Sequence, residues 1–250
     1  MLLSIKHLLQ YSLLSSDEED LGQIRDYYFD DYYWIVRYVC VDGREWLPDR
    51  KILLSPVVLN RPDRRGKSIT ALVTKKRVEE SPSYDADEPI SRHMENEIVT
   101  YYNWPLYWQG MTARVPGIAG MPPGSPERNR AHAKQEKPKG DPHLRSAKQV
   151  IGYKVRAEDG PAGKIDDLIV EYGFWNINYI VITTGAAALK KKVLIPPRWI
   201  IRINGAQSEV YVDLSREAVR GGPEFDPAAP VNREYEERLY DYYGRPTYWV

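Results

Sequence analysis

Cysteine is nearly absent. Cys40 is the only one in 250 residues, so no disulfide can form within the chain and no zinc ribbon or finger can be built from it. A lone thiol fits a reducing compartment. Net charge is absent as well. The 35 Lys and Arg balance 35 Asp and Glu, which removes bulk attraction to nucleic acid or to an anionic membrane as a reason for binding. Long apolar runs are missing too. The best candidate, Tyr179 to Leu189, is interrupted by Thr183-Thr184-Gly185 and closed by Lys190-Lys191-Lys192, well short of the roughly 18 apolar residues of a membrane span. The opening stretch carries Lys6 and His7 in its middle, unlike a secretory signal. The sequence reads as that of a soluble, cytoplasmic protein with no membrane span. It has no Gly-Xaa-Ser-Xaa-Gly elbow, phosphate loop or dinucleotide fingerprint. Phenylalanine is scarce: three Phe stand against 19 Tyr and seven Trp. Most aromatic rings therefore keep a polar atom, the type suited to sites with one end buried and the other wet.

What is present is a duplication. Sliding the chain by 141 residues brings Leu21-Gly22-Gln23-Ile24 onto Ala162-Gly163-Lys164-Ile165, Asp26 onto Asp167, Trp34 onto Trp175 and Tyr38 onto Tyr179. Lys51 to Pro56 falls on Lys192 to Pro197, Arg92 and Glu95 on Arg233 and Glu236, and Tyr101-Tyr102, Pro105 and Tyr107-Trp108 on Tyr242-Tyr243, Pro246 and Tyr248-Trp249. Upstream the register shifts by one, so that Ser4, Lys6 and Tyr11 match Ser146, Lys148 and Tyr153. Fixed-period self-similarity of this kind marks a repeat architecture. Two domains are expected, 1–108 and 143–250. Residues 109–142 hold six Pro and five Gly, with scattered apolar residues that show no period, and read as a flexible linker.

Within each repeat the periodicity is that of strands. Trp34, Val36, Tyr38 and Cys40 alternate with Ile35, Arg37, Val39 and Val41; Trp175, Ile177, Tyr179 and Val181 alternate with Asn176, Asn178, Ile180 and Ile182. Arg37 and Asn178 mark an outer face whose later positions, Val39, Val41, Ile180 and Ile182, are apolar and call for a cover. Tyr153 to Arg156 and Gly163 to Val170 flank Glu158-Asp159-Gly160-Pro161, a hairpin pattern. About five short strands at this spacing suggest a small closed or half-closed barrel. Each repeat then ends in an amphipathic helix. One runs from Arg233 to Tyr243 behind Asn232, and the other lies behind Ser91 through Met94, Ile98 and Tyr101, with Asn103 and Gly244 as stops.

The run Gly152-Tyr153-Lys154-Val155, Asp159-Gly160, Gly163 to Val170, Asn178 to Ile182 and Lys192 to Pro196 resembles the PRC-barrel family. The first repeat resembles it through Leu21 to Asp26, Val36 to Asp42 and Arg50 to Pro56, but carries Asp17-Glu18-Glu19-Asp20 where the family has an Asp-Gly turn. The resemblance implies a mainly β fold of two PRC-barrel-like β-barrel domains in tandem, each with a short C-terminal helix. The family includes the cytoplasmic domain of the photosynthetic reaction centre H subunit and the C-terminal domain of a ribosome maturation factor. It thus implies a non-enzymatic interaction or assembly module, with an RNA- or ribosome-associated factor or a peripheral part of a membrane complex as alternatives.

The candidate chemical residues point the same way. His7, His93, His132 and His143 share no metal-ligand spacing with one another or with Cys40, and Cys40 fits a buried small hydrophobe better than a reactive thiol. The acids Asp26, Asp30-Asp31 and Asp166-Asp167 lack the alternation of a calcium loop and read as turn or water-facing residues. No cofactor, metal or catalytic residue is expected. The basic clusters Arg61 to Lys67 and Lys190 to Lys192 read as solvated loops, so nucleic acid is a disfavoured partner. The expected partner is a protein: a second copy, the other repeat, or an outside molecule. The candidate interaction residues are the paired aromatics Tyr101, Tyr102, Tyr107, Trp108, Tyr242, Tyr243, Tyr248 and Trp249.

Overall fold

The computed structural model describes residues 1–43, 46–48, 50–82, 89–104, 143–185 and 190–247. The linker assigned to 109–142, and Tyr107, Trp108, Tyr248 and Trp249, lie outside the described residues. The elements in chain order begin with β1 (Leu2–Ser4), α1 (Ile5–Leu8), β2 (Ser12–Leu14), β3 (Asp20–Asp30), β4 (Ile35–Asp42), β5 (Lys51–Leu54), β6 (Ser68–Thr70), α2 (Lys75–Glu79) and α3 (Arg92–Tyr102). The second repeat follows with β7 (Leu144–Ser146), α4 (Ala147–Val150), β8 (Lys154–Ala157), β9 (Gly160–Glu171) and β10 (Ile177–Thr184). It ends with β11 (Lys191–Ile195), β12 (Ile200–Asn204), β13 (Glu209–Val212), α5 (Arg216–Gly221) and α6 (Arg233–Tyr243). Single-turn 3₁₀ helices at Pro56–Val58 and Pro197–Trp199 occupy matching places.

The chain forms two compact units, and they do not coincide with the two repeats. The N-repeat unit is His7–Ser146; the C-repeat unit is Ala147–Val250 together with Met1–Lys6. Each sheet therefore contains one strand from the other repeat. The N-repeat sheet runs β5-β4-β3-β2-β6, with β7 paired antiparallel to β3. The C-repeat sheet runs β11-β10-β9-β8-β13-β12, with β1 paired antiparallel to β9. The domains expected at 1–108 and 143–250 thus trade their first strands. In each unit one parallel pair, β2 with β6 or β8 with β13, interrupts an otherwise antiparallel sheet. The fold is mainly β, as expected, and is built on two sheets; where two barrels were expected, the pairing follows open paths and no closed barrel is found among the described residues.

Local chemistry sets the elements. The first hairpin closes without an Asp-Gly pair: Glu18 takes the left-handed conformation at φ 63°, and the Ser15 hydroxyl oxygen accepts from Glu19 N at 2.9 Å. Trp34 and Trp175 occupy equivalent positions, but in the turn before the central strand and not within it. Both have φ above zero, 56° and 59°, and their N–H groups close the turn on Asp30 and Glu171 at 2.8 and 2.7 Å. Gly22, at φ 113°, and Gly163 lie where backbones nearly touch. A Cβ there would fall 1.9 Å from the Asp42 carbonyl oxygen or 2.4 Å from that of Thr183, which only glycine permits. The terminal helices are capped as expected. Ser91 Oγ accepts from Met94 N at 3.3 Å and Asn232 Oδ1 from Tyr235 N at 2.9 Å, while Asn103 and Gly244 end them in the left-handed conformation.

The face covered by the C-terminal helix is the reverse of the one expected. In the C-repeat unit Tyr235 and Leu239 of α6 pack with Tyr179, Val181, Ile169, Leu194 and Phe225. They do not pack on Ile180 and Ile182, which are buried as well and point to the opposite side of the sheet. Both faces of β10 are apolar, so alternation alone could not say which face the helix takes.

Candidate functional site

Two polar clusters lie inside each unit, and both are duplicated. The first clasps the exchanged strand. In the C-repeat unit Leu2, Leu3 and Ser4 pair with Glu171, Val170 and Ile169. Ser4 Oγ donates to one Asp167 oxygen. The other oxygen accepts from the backbone N–H of Lys6 at 2.9 Å and of Leu168 at 2.8 Å. In the N-repeat unit Leu144, Arg145 and Ser146 pair with Asp30, Phe29 and Tyr28, which is the same register after the repeat shift. Ser146 Oγ donates to Asp26, whose other oxygen accepts from Tyr27 N at 2.8 Å.

Asp26 and Asp167 were expected to face water; each is only 8% exposed. A carboxylate at that depth needs donors, and the exchanged segment supplies them. Burial pushes the Asp167 carboxyl above its ordinary value, against hydrogen bonds from Ser4, Lys6 and Leu168 that pull it down. The ends of the two clasps differ. In the N-repeat unit Asp31 receives Arg145 Nε at 2.6 Å and faces His143 Nδ1 at 2.9 Å, and its N–H donates to the His143 carbonyl at 2.9 Å. In the C-repeat unit Tyr172 N donates to the Met1 carbonyl at 2.9 Å. There Asp166 is held by Lys6 at 3.1 Å and Lys192 at 2.7 Å.

The second cluster pins the terminal helix to the sheet. Tyr179 donates its hydroxyl proton to Glu236 of α6, which also pairs with Arg233 at 3.4 Å. The N-repeat unit repeats the pattern around Glu95, fully buried on α3. It bonds Arg37 and Tyr38 and pairs with Arg92 at 3.2 Å. Burial raises the Glu95 carboxyl, and Arg37 and Arg92 oppose the rise. Arg37, read from the sequence as an outer residue, is 4% exposed and also meets Asp30 at 3.3 Å. The cause is a bulge. Tyr28 pairs with Tyr38 but Phe29 pairs with Val36, leaving Arg37 as the extra residue and turning its side chain inward toward the helix. Asn178 is the corresponding extra residue of β10. Sequence alternation misses the inward turn of Arg37 because a bulge breaks the period of two.

The candidate interaction residues divide. Tyr102 is buried, stacks on Trp104 with centroids 4.2 Å apart, and has Arg77 over its ring. Tyr101 donates its hydroxyl proton to the Arg77 carbonyl at 2.8 Å. Tyr243 is half-buried and meets Trp199 edge-on at 4.8 Å. Tyr242, 45% exposed, keeps its ring outside, with its hydroxyl over Gly221. These residues thus dock the helices within their own units. The remaining expectations are placed as follows. Asp30 caps the hairpin by accepting from Tyr32 N and Tyr33 N, each at 2.9 Å. Burial pushes the Cys40 thiol up to about 12, which disfavours the reactive thiolate. Lys191 donates to the Gly222 carbonyl at 2.9 Å. Among the described residues no three or more His, Cys, Asp or Glu gather in a metal-binding group, and no helix is long and apolar enough to cross a membrane. No family model matches the chain, and no curated protein matches it.

Proposed function

We propose that this chain is a non-enzymatic assembly module of two PRC-barrel-like domains that works by binding another protein in the cytoplasm. One observation carries the reading. Four buried carboxylates, Asp26, Asp167, Glu95 and Glu236, hold the fold together: two clasp an exchanged strand, two pin a helix. These four carboxylates are engaged in structural contacts, which supports a reading in which the outer surface carries the function. Sequence similarity to PRC-barrel domains supports the same class, since the family members named above bind macromolecules.

The test is capture from the native cell on the full-length chain, with mass spectrometry of what is retained. A single protein retained stoichiometrically through a high-salt wash, with an absorbance spectrum free of nucleic acid, is the expected result. Co-purification of RNA that salt removes would replace this reading with the ribosome-associated one. Recovery in the membrane pellet would replace it with the peripheral-complex one.

A further inference from the structure

We infer that the two halves of this chain are the subunits of a strand-exchanged dimer that has become covalent, so that each half binds the other and stays bound when the connection between them is cut. The exchange is reciprocal: β1 of the first half completes the C-repeat sheet, and β7 of the second half completes the N-repeat sheet. It is also equivalent on both sides. Three residues pair with three in the same register, and each strand ends in a serine that donates to a buried aspartate, Ser4 to Asp167 and Ser146 to Asp26.

Each exchanged strand is buried in part, and so is the residue that follows it. Leu3 is 7% exposed, Ile5 fully buried, Ser146 7% and Ala147 1%. A three-residue strand is not stable alone in water. In its sheet it gains backbone pairing and apolar contact, and its serine adds a hydroxyl donor to a buried carboxylate. Two such strands, one donated by each half, act together as a bivalent attachment. The second forms at high effective concentration once the first is made. This symmetry identifies the partner of each half by its chemistry: a chain that offers a short strand ending in serine and presents a buried aspartate beside the receiving edge. The other half of the same molecule has both. Because the clasps are buried, added salt does little to loosen them.

The experiment uses the full-length chain with a protease site introduced between residues 115 and 130 and a purification tag at the C-terminus. After native cleavage, the two pieces are expected to elute together at the 28.9 kDa of the uncut protein, with an unchanged circular dichroism spectrum. The tagged piece should retain the untagged one in 1 M salt. The double variant Ser4→Ala, Ser146→Ala, cleaved in the same way, should release the untagged piece at least ten-fold faster. Recovery of the pieces in separate fractions, folded or aggregated, overturns the inference, as does a variant that holds its partner as firmly as the wild type. Neither result bears on whether an outside protein binds the intact molecule.

Discussion

Single residues in this protein are constrained most where the two repeats agree. Gly22 and Gly163 face backbone carbonyls at equivalent positions of the two repeats, those of Asp42 and Thr183. Gly22→Ala and Gly163→Ala should each cost about 3 kcal/mol, since the backbone must move to admit a methyl group. Gly152→Ala, where nothing lies within 4 Å of the added carbon, should cost about 1 kcal/mol for its positive φ alone. Guanidinium unfolding of the three variants checks the ranking. Tyr179→Phe leaves Glu236 buried with one fewer donor and should cost about 1–3 kcal/mol. Tyr242→Phe, at an exposed ring, should fall within about 0.5 kcal/mol of the wild type.

Asp167 adds a pH dependence at the same scale. Burial raises its folded-state pKa above the unfolded reference of 3.8. Between these two values the folded state binds more protons than the unfolded one, so ionisation of this group lowers stability as pH rises through that window and leaves it lowered above. The stability of Asp167→Asn relative to wild type should therefore improve on going from pH 3.5 to pH 7, by parallel denaturant titrations. A difference that moves the other way would mean that the hydrogen bonds outweigh burial.

At the scale of elements, the terminal helices are the parts whose attachment was least predictable. Their caps and ends were legible: Ser91 and Asn232 open them and Asn103 and Gly244 close them. The side they cover was not. The central strands are apolar on both faces, and the bulge at Arg37 turns inward a side chain that alternation assigns outward. Burial of Leu239, with no exposed surface, makes the helix part of the core and not an appendage. Leu239→Ala should cost about 2–5 kcal/mol. Truncation after Pro230 removes Tyr235, Leu239 and Val231 from the cluster with Tyr179 and Val181 and should give aggregation, measured by light scattering against the intact chain.

The whole molecule depends on residues far apart in sequence. Met1–Lys6 belongs to the unit otherwise formed by 147–250, so a short deletion at one end should weaken the other half. Removing residues 1–5 takes Leu3 and Ile5 out of buried positions and deprives Asp167 of the Ser4 donor. It should cost about 4 kcal/mol or more. Amide hydrogen exchange should place the loss of protection in β9, residues 160–171, ahead of β2, which follows the deletion directly in the chain. Loss confined to residues 7–14 would argue that the strand sits in its own repeat.

The amino-acid sequence by itself determined the duplication, because its two copies match residue by residue, and the hairpin turns and helix caps, because each of these depends on residues near one another in the chain. The exchange of strands was decided by tertiary structure alone. Leu2–Ser4 and Leu144–Ser146 carry the same serine at the same register, so either could serve either sheet on local grounds. Which one does so depends on where the chain runs after it, through α1 or α4, and that is a property of three-dimensional connection. The burial of Asp26 and Asp167 follows from the same cause, and that of Arg37 from the bulge that turns it toward α3. A polar residue reads as exposed until its partners are known, and here Asp30 and Glu95 stand 7 and 58 positions from Arg37, Ser146 stands 120 from Asp26, and Ser4 stands 163 from Asp167.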